Sequence, residues 1–297
     1  MASGQKATKR STGTGPVMLT CAVSGGIVTG NPNQPGTREQ VIEAAVDAAR
    51  AGASIIHVHA RTPEGEMSQD PKHYLAIKKA VRKQVDVVLN FTTGGKLGSP
   101  AEERRRSLGA RPELASLNCG SINFGPGDVI FTNPNSLIDE LAAEMSKHGI
   151  VPEYECFDIG MAVKAAKLAR AATGPTGMMH LVLGVVGGAP PRVDVVELFA
   201  DLVPDGVPWM VTAVGRDNFP MMGAVLSLGG HIRTGLEDVV YVGPGEHATS
   251  NAQLVTRARA LCEAAGRPVA TPGEAREILS VRAGATSNGR SAAVHAA

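Results

Sequence analysis

The chain has 297 residues, a formal net charge of +1 and 3% aromatic residues. That length holds a sizeable core. The charge balance argues against a nucleic-acid or membrane-surface partner, and the scarcity of aromatics against a base-stacking platform. Cys21, Cys119, Cys156 and Cys262 lie far apart without a CxxC pair, a pattern of reduced, buried thiols in a cytosolic protein. No apolar run reaches the length of a membrane span. Residues 1–15 are rich in Lys, Ser, Thr and Gly without an apolar segment, so they read as a flexible tail rather than a signal peptide, and 283–297 read the same way. Residues 16–282 show no composition break and are expected to form one domain.

Strand-length apolar runs alternate with helix-period segments along this domain. The first run, Pro16 to Val23, precedes a helix from Arg38 to Ala51 with Thr37 as N-cap. Ala53 to Arg61 reads as a short buried strand. A helix follows from Pro71 to Lys83, opened by the cap-and-N1 pair Asp70-Pro71. Strands are expected at Asp86 to Phe91 and Leu114 to Asn118, then a helix from Pro134 to His148 and a strand from Val151 to Cys156. The pattern continues with helix 158–172, strand 178–183, helix 193–202, strand 207–214, helix 219–228, strand 231–234 and helix 250–265. Eight strands, most of them followed by a helix, predict an α/β fold of the (β/α)8 TIM-barrel class. A doubly wound sheet would want a GxGxxG turn after the first strand. Val23 to Gly30 is glycine-rich but does not spell it.

In such a barrel the chemistry sits at the C-terminal strand ends. Side chains at i and i+2 of a strand share a side, so His57 and His59 present two imidazoles together. Two imidazoles with one more ligand make a catalytic metal site. Glu237, just after strand eight, is the expected third ligand, because strand eight lies next to strand one and near strand two. Glu155, on the opposite strand, is the rival, and it shares a face with Glu153. Arg233 and Asp238 form a second pair, in which an Asp steadied by an Arg serves as a base. Thr92, Thr93, Gly94 and Gly95 offer hydroxyls and N–H groups suited to a carboxylate or oxyanion. Ser116, Asn118 and Ser121 are further hydrogen-bonding candidates. His231, after a Gly pair, reads as structural, and Arg104 to Arg106 read as a solvated helix face.

The segments HVHAR, TTGG, SLNCGSINFG, PEYECFDIG and GGHIRTGLED, with SNAQLV and ATPGEAREIL beyond them, together resemble the β-keto acid cleavage enzyme family from about Val17 to Leu279. The resemblance implies a homotetramer of TIM barrels, with zinc or another divalent ion in the barrel mouth and acetyl-CoA as cosubstrate, while a cytoplasmic location is expected from the cysteine pattern. Acetoacetate and a new acyl-CoA would be the products of a zinc-dependent acyltransferase acting on a β-keto acid. It implies His57, His59 and Glu237 as metal ligands. It implies Arg233, Asp238 and Glu155 (or Glu153) as catalytic groups, with Thr93 or Thr92 as the strand-three hydroxyl, where the type member uses a serine. Thr92, Gly94, Gly95, Ser116 and Asn118 remain candidates for holding substrate. One departure stands out. The type member acts on 3-keto-5-aminohexanoate and has an acidic residue after strand one for its ammonium. Here the place reads Ser24-Gly25-Gly26, so a non-cationic keto acid is expected. The competing functions are a metal-dependent aldolase or hydrolase without CoA, and a non-catalytic metal or small-molecule binder.

Overall fold

A sheet closes into a barrel when every strand finds two hydrogen-bonded neighbours, and eight strands of this chain do so, all in parallel pairs. The computed structural model describes residues 13–27, 29–96, 98–124 and 129–281. The strands are β1 Leu19–Ala22, β2 Ile55–Val58, β3 Val88–Phe91, β4 Leu114–Asn118, β5 Val151–Cys156, β6 Met178–Leu183, β7 Trp209–Ala213 and β8 His231–Thr234. They close in chain order into a parallel barrel, with β8 paired to β1. The surrounding helices are α1 Arg38–Ala51, α2 Pro71–Arg82, α3 Ala101–Arg104 (continued by a 3-10 turn over Arg105–Ala110), α4 Asn135–His148, α5 Ile159–Ala171, α6 Val193–Leu202, α7 Asn218–Ser227 and α8 Asn251–Ala264. A last helix, α9 Pro272–Ile278, packs under the barrel. Thr37 caps α1 in a capping box with Gln40, and Asp70 caps α2 ahead of Pro71.

The first strand is shorter than the expected Pro16 to Val23: Val17 instead bridges Val269 on the segment leading to α9. β2 likewise ends at Val58, which leaves His59 at the strand mouth. The helical piece at 101–110 was foreshadowed only as a helix face at Arg104 to Arg106, while α9 and two small hairpins (Ile122–Asn123 with Ile130–Phe131, Tyr241–Gly243 with Glu246–His247) had no counterpart in the sequence reading. The expected tails fall outside the described residues except for 13–15. The four cysteines are free and buried. Among the described residues no helix is long and apolar enough to cross a membrane.

Inside the barrel the inward side chains stack in layers. The lowest layer is apolar: Met18, Ile55, Val88, Leu114, Val151, Met178 and Met210 cluster with Ala270, Ala275 and Leu279, which plug the bottom beside α9. Two residues further along each strand the inward position turns polar, through Thr20, His57, Asn90, Ser116, Glu153, His180, Thr212 and Arg233, all buried. His231 belongs to the lower end, where its Nδ1 accepts from Met18 N at 3.0 Å, a structural role as expected.

Candidate active site

The loops after β1 and β8 bring the third acid to the histidine pair. Gly235, at φ +137, lies so close to β1 that a Cβ would stand 2.1 Å from Ala22 O. That approach lets Glu237 N donate to Ala22 O (3.2 Å), which turns the Glu237 side chain over the barrel mouth. Asn251 secures the turn, accepting from Leu236 N at 2.9 Å and donating to Val23 O at 3.1 Å. On the other side Gly25, at φ +70, packs against Glu237 where a Cβ would meet its Cγ at 2.9 Å. Arg61 Nη2 holds the Gly25 carbonyl at 2.8 Å, and Ser24 Oγ donates to His59 O at 2.9 Å.

Glu237 Oε1 thereby stands 3.8 Å from His57 Nε2 and 3.6 Å from His59 Nε2. One donor atom from each of the three lies within 4.8 Å of the other two. Glu237 Oε2 and His57 Nδ1 are buried without a protein partner. Burial holds the His57 imidazole down, to about 4, and so keeps it neutral. Burial opposes ionisation of Glu237, but Arg233, His59 and His57 outweigh it and hold the carboxyl well below its usual range. Two neutral-capable imidazoles and an ionised carboxylate with a free oxygen form the donor set of a three-ligand zinc-type site with open positions, so the residues fit a divalent ion.

Arg233 sits at the centre of the acids. It makes a paired contact with Asp238 (Nε to Oδ2 2.8 Å, Nη2 to Oδ1 2.9 Å), donates to Glu237 Oε1 at 2.8 Å and reaches Glu155 Oε1 at 3.4 Å. Burial pushes Asp238 above the ordinary carboxylate range, and Arg233 pulls it only part of the way back. Such a carboxyl is a stronger base than a solvated one.

Glu153 and Glu155 separate by depth. Glu153 is fully buried, bonded to Asn90 Nδ2 and 2.6 Å from His180 Nδ1. Burial opposes its charge, but the His180 hydrogen bond wins and lowers it to about 2. Glu155, one layer higher, lines the cavity. Burial and then Glu153 push it up to about 8. Glu153, Glu155 and His180 form a separate group from the histidine pair, so Glu237 rather than Glu155 stands beside the two imidazoles.

The mouth holds a cavity of about 370 Å³ lined by His57, His59, Thr92, Gly94, Gly95, Asn118, Glu155, Arg233, Glu237 and Asp238 among others. Five expectations fail here. Thr93 does not line this cavity: its Oγ1 donates to Ser116 O at 2.6 Å. Ser116 answers by accepting from Thr93 N at 3.3 Å, so these hydroxyls tie β3 to β4, and Thr92 is the hydroxyl beside the cavity. Ser121 Oγ accepts from Asn133 N, away from the cavity. Gly94 N–H is already given to Thr92 Oγ1 at 2.9 Å. Arg104 is not a solvated residue. It is 3% exposed, donates to Thr93 O, Thr132 O and Asn133 Oδ1, and stacks on Phe131 with its guanidinium carbon 4.2 Å from the ring centroid. Sequence reasoning also missed Arg61, Asn251 and His180. The first two lay within the quoted HVHAR and SNAQLV segments, while His180, inside a methionine-rich strand, had no local signal.

The chain is similar to known proteins along most of its length. The family model described as beta-keto acid cleavage enzyme matches residues 16–281. The chain is 41% identical over 271 residues to a 3-keto-5-aminohexanoate cleavage enzyme of Acetoanaerobium sticklandii, covering 89% of this chain and 98% of that protein. It is 36% identical over 277 residues to a 3-oxoadipate:acetyl-CoA acetyltransferase of Cupriavidus necator, covering 90% and 96%. Among solved structures, ObcA in its apo form matches with a TM-score of 0.71 at 21% identity, over 84% of this chain and 66% of that one, a likeness of fold. With the family model spanning the whole barrel and relatives matched along nearly their full length, the chain belongs to the beta-keto acid cleavage enzyme family.

Proposed function

We propose that the chain exchanges acyl groups between a β-keto acid and acetyl-CoA, giving acetoacetate and the CoA ester of the keto acid's remainder. The observation that carries this is the convergence of His57, His59 and Glu237 beside the Arg233–Asp238 pair on the floor of one cavity. The names of relatives support it: one is an acetyl-CoA acetyltransferase of 3-oxoadipate, another a 3,5-dioxohexanoate:acetyl-CoA acetone transferase. His57, His59 and Glu237 would hold a divalent ion, zinc by the donor set, which would supply Lewis acidity for enolisation of the keto acid.

The chain's own groups do the rest. Asp238, steadied by the Nε–Nη2 edge of Arg233, takes a proton from the carbon between ketone and carboxylate. That carbon attacks the acetyl carbonyl and the CoA thiolate leaves. The thiolate attacks the original ketone, the bond between that carbon and the former nucleophile breaks, and Asp238 returns its proton to acetoacetate. Glu155, which keeps its proton up to about pH 8, donates a hydrogen bond to oxygen as charge develops there. Thr92 and Asn118, which line the cavity, orient the substrate. On the β3–β4 side Phe131 also lines a second groove of about 490 Å³, with Lys96, Ser99, Ser136 and an Arg105 paired to Glu102 and Glu140 in its walls, where a large polar carrier has room to approach.

The test is acetoacetate formation from a panel of β-keto acids, with the new CoA ester identified by mass. Both products should appear in equal amounts and only with acetyl-CoA present. Cleavage that proceeds without CoA would instead favour a metal-dependent aldolase or hydrolase.

A further inference from the structure

The cavity has two unlike halves. Its floor carries all the charge: among the described residues the ionisable side chains that line it are His57, His59, Glu155, Arg233, Glu237 and Asp238. Each of these faces another within the site, as the ion pairs of Arg233 and the histidine–glutamate contacts show. The wall is hydrocarbon. Phe157, Val182, Val185 and Val214 come from the ends of β5, β6 and β7, and Phe124 and Phe131 from the hairpin after β4. Phe124 and Phe157 meet edge to face at 6.0 Å. Behind this wall the buried Arg104 lies against the face of Phe131 and donates N–H groups to Thr93, Thr132 and Asn133. Three of its five N–H groups are thus engaged, and Arg104 is not among the residues that line this cavity.

We propose that the substrate of this site is a β-keto acid whose tail is uncharged hydrocarbon longer than a methyl group. This rests on the keto-acid reading above and narrows it. The floor positions the ketone and carboxylate, which every β-keto acid has, so only the tail meets the wall. A tail carboxylate or ammonium would lose its water there and gain no partner among the described residues. A hydrocarbon tail gains by burial, about three- to fourfold per methylene until the cavity is filled. The polar groove beyond Phe131 leaves the carrier arm of acetyl-CoA a separate approach, so the two do not compete for the wall. The exchange balances for any such tail R: R–CO–CH2–COO⁻ and acetyl-CoA give R–CO–CoA and acetoacetate.

The experiment compares kcat/KM of the metal-replete enzyme, with acetyl-CoA, on 3-oxopentanoate, 3-oxohexanoate, 3-oxooctanoate, 3-oxoadipate and 3-keto-5-aminohexanoate. Values should rise from 3-oxopentanoate to 3-oxohexanoate by about three- to fourfold. Both charged acids should fall at least about tenfold below 3-oxohexanoate. A charged acid equal to or better than 3-oxohexanoate overturns the inference while leaving the keto-acid reading intact. Turnover of none of the five overturns that reading itself, and this inference with it. Val214→Arg should shift the ratio of 3-oxoadipate to 3-oxohexanoate upward by about tenfold or more. Val182→Thr, of the same shape, serves if the arginine variant does not fold, and should weaken 3-oxohexanoate several-fold through KM. An unchanged preference in the folded variants counts against the hydrocarbon wall.

Discussion

The two inward layers of the barrel are built by the same strands yet do opposite work. In the lower layer Met18, Ile55, Val88, Leu114, Val151, Met178 and Met210 fill the interior with hydrocarbon. Two residues on, Thr20, His57, Asn90, Ser116, Glu153, His180 and Thr212 fill it with polar groups at the same depth of burial. The step is about 6.6 Å along a parallel strand. Below it, removal of apolar surface from water stabilises the fold. Above it, burial costs stability wherever pairing is incomplete. Thr20 Oγ1, His57 Nδ1, Asn90 Oδ1, His180 Nε2 and Thr212 Oγ1 all lack a protein partner there. The lower layer thus supports an upper layer that is arranged for chemistry rather than for stability.

Substitutions on either side of the step test that division. The largest effect is expected for His57→Ala, which removes a proposed ligand: bound metal should be lost and kcat/KM should fall about 10⁴-fold or more, with folding retained by circular dichroism. Asp238→Asn should keep the metal and cost about 10³-fold in kcat, because only the base is removed. Full activity in that variant would exclude Asp238 as the base. Ile55→Ala, one step below His57, should do the reverse. It should lower stability by about 2–5 kcal/mol in denaturant titration while metal content and kcat stay close to wild type. Loss of metal in Ile55→Ala at a temperature where it is folded would break the separation of layers.

The smallest effect concerns pH. Burial and Glu153 raise the Glu155 carboxyl to about 8 in the folded chain, against 4.5 as its ordinary value. A raised acid contributes its full stability below 4.5 and loses it as pH climbs through 8. Glu155→Gln keeps the shape and removes this titration. In metal-stripped protein the Tm of wild type should therefore drop by a few degrees more than that of Glu155→Gln between pH 5 and pH 8. Parallel pH profiles would show that Glu155 ionises freely in the fold.

Much of this architecture was legible in the chain because parallel buried strands announce themselves as short apolar runs. The runs at 114–118, 151–156, 178–183 and 231–234 became strands at those bounds, and the capped segment 38–51 became α1. The histidine pair was legible because period 2 fixes which side chains share a side, and Glu237 because ring closure brings the end of β8 to β1 and near β2. What failed was the direction of side chains in loops. Thr93 and Ser116 turn to each other's backbone because the polar groups at the end of two adjacent strands need partners. Arg104 turns inward because the Thr93, Thr132 and Asn133 oxygens converge behind the glycine turn. A run of three arginines carries no sign of which one does so. Glu153 and Glu155 share a face, as period 2 requires, but only the position of His180 separates the ionised carboxylate below from the protonated one above.

The central claim is tested most directly by the metal content of purified protein, measured by mass spectrometry for wild type and for His57→Ala, His59→Ala, Glu237→Gln and Ile55→Ala. About one divalent ion per chain is expected in wild type and in Ile55→Ala, and a small fraction of that in each of the other three. Retention of a full ion in the folded His57, His59 and Glu237 variants, or its absence from active wild-type protein, would contradict the account.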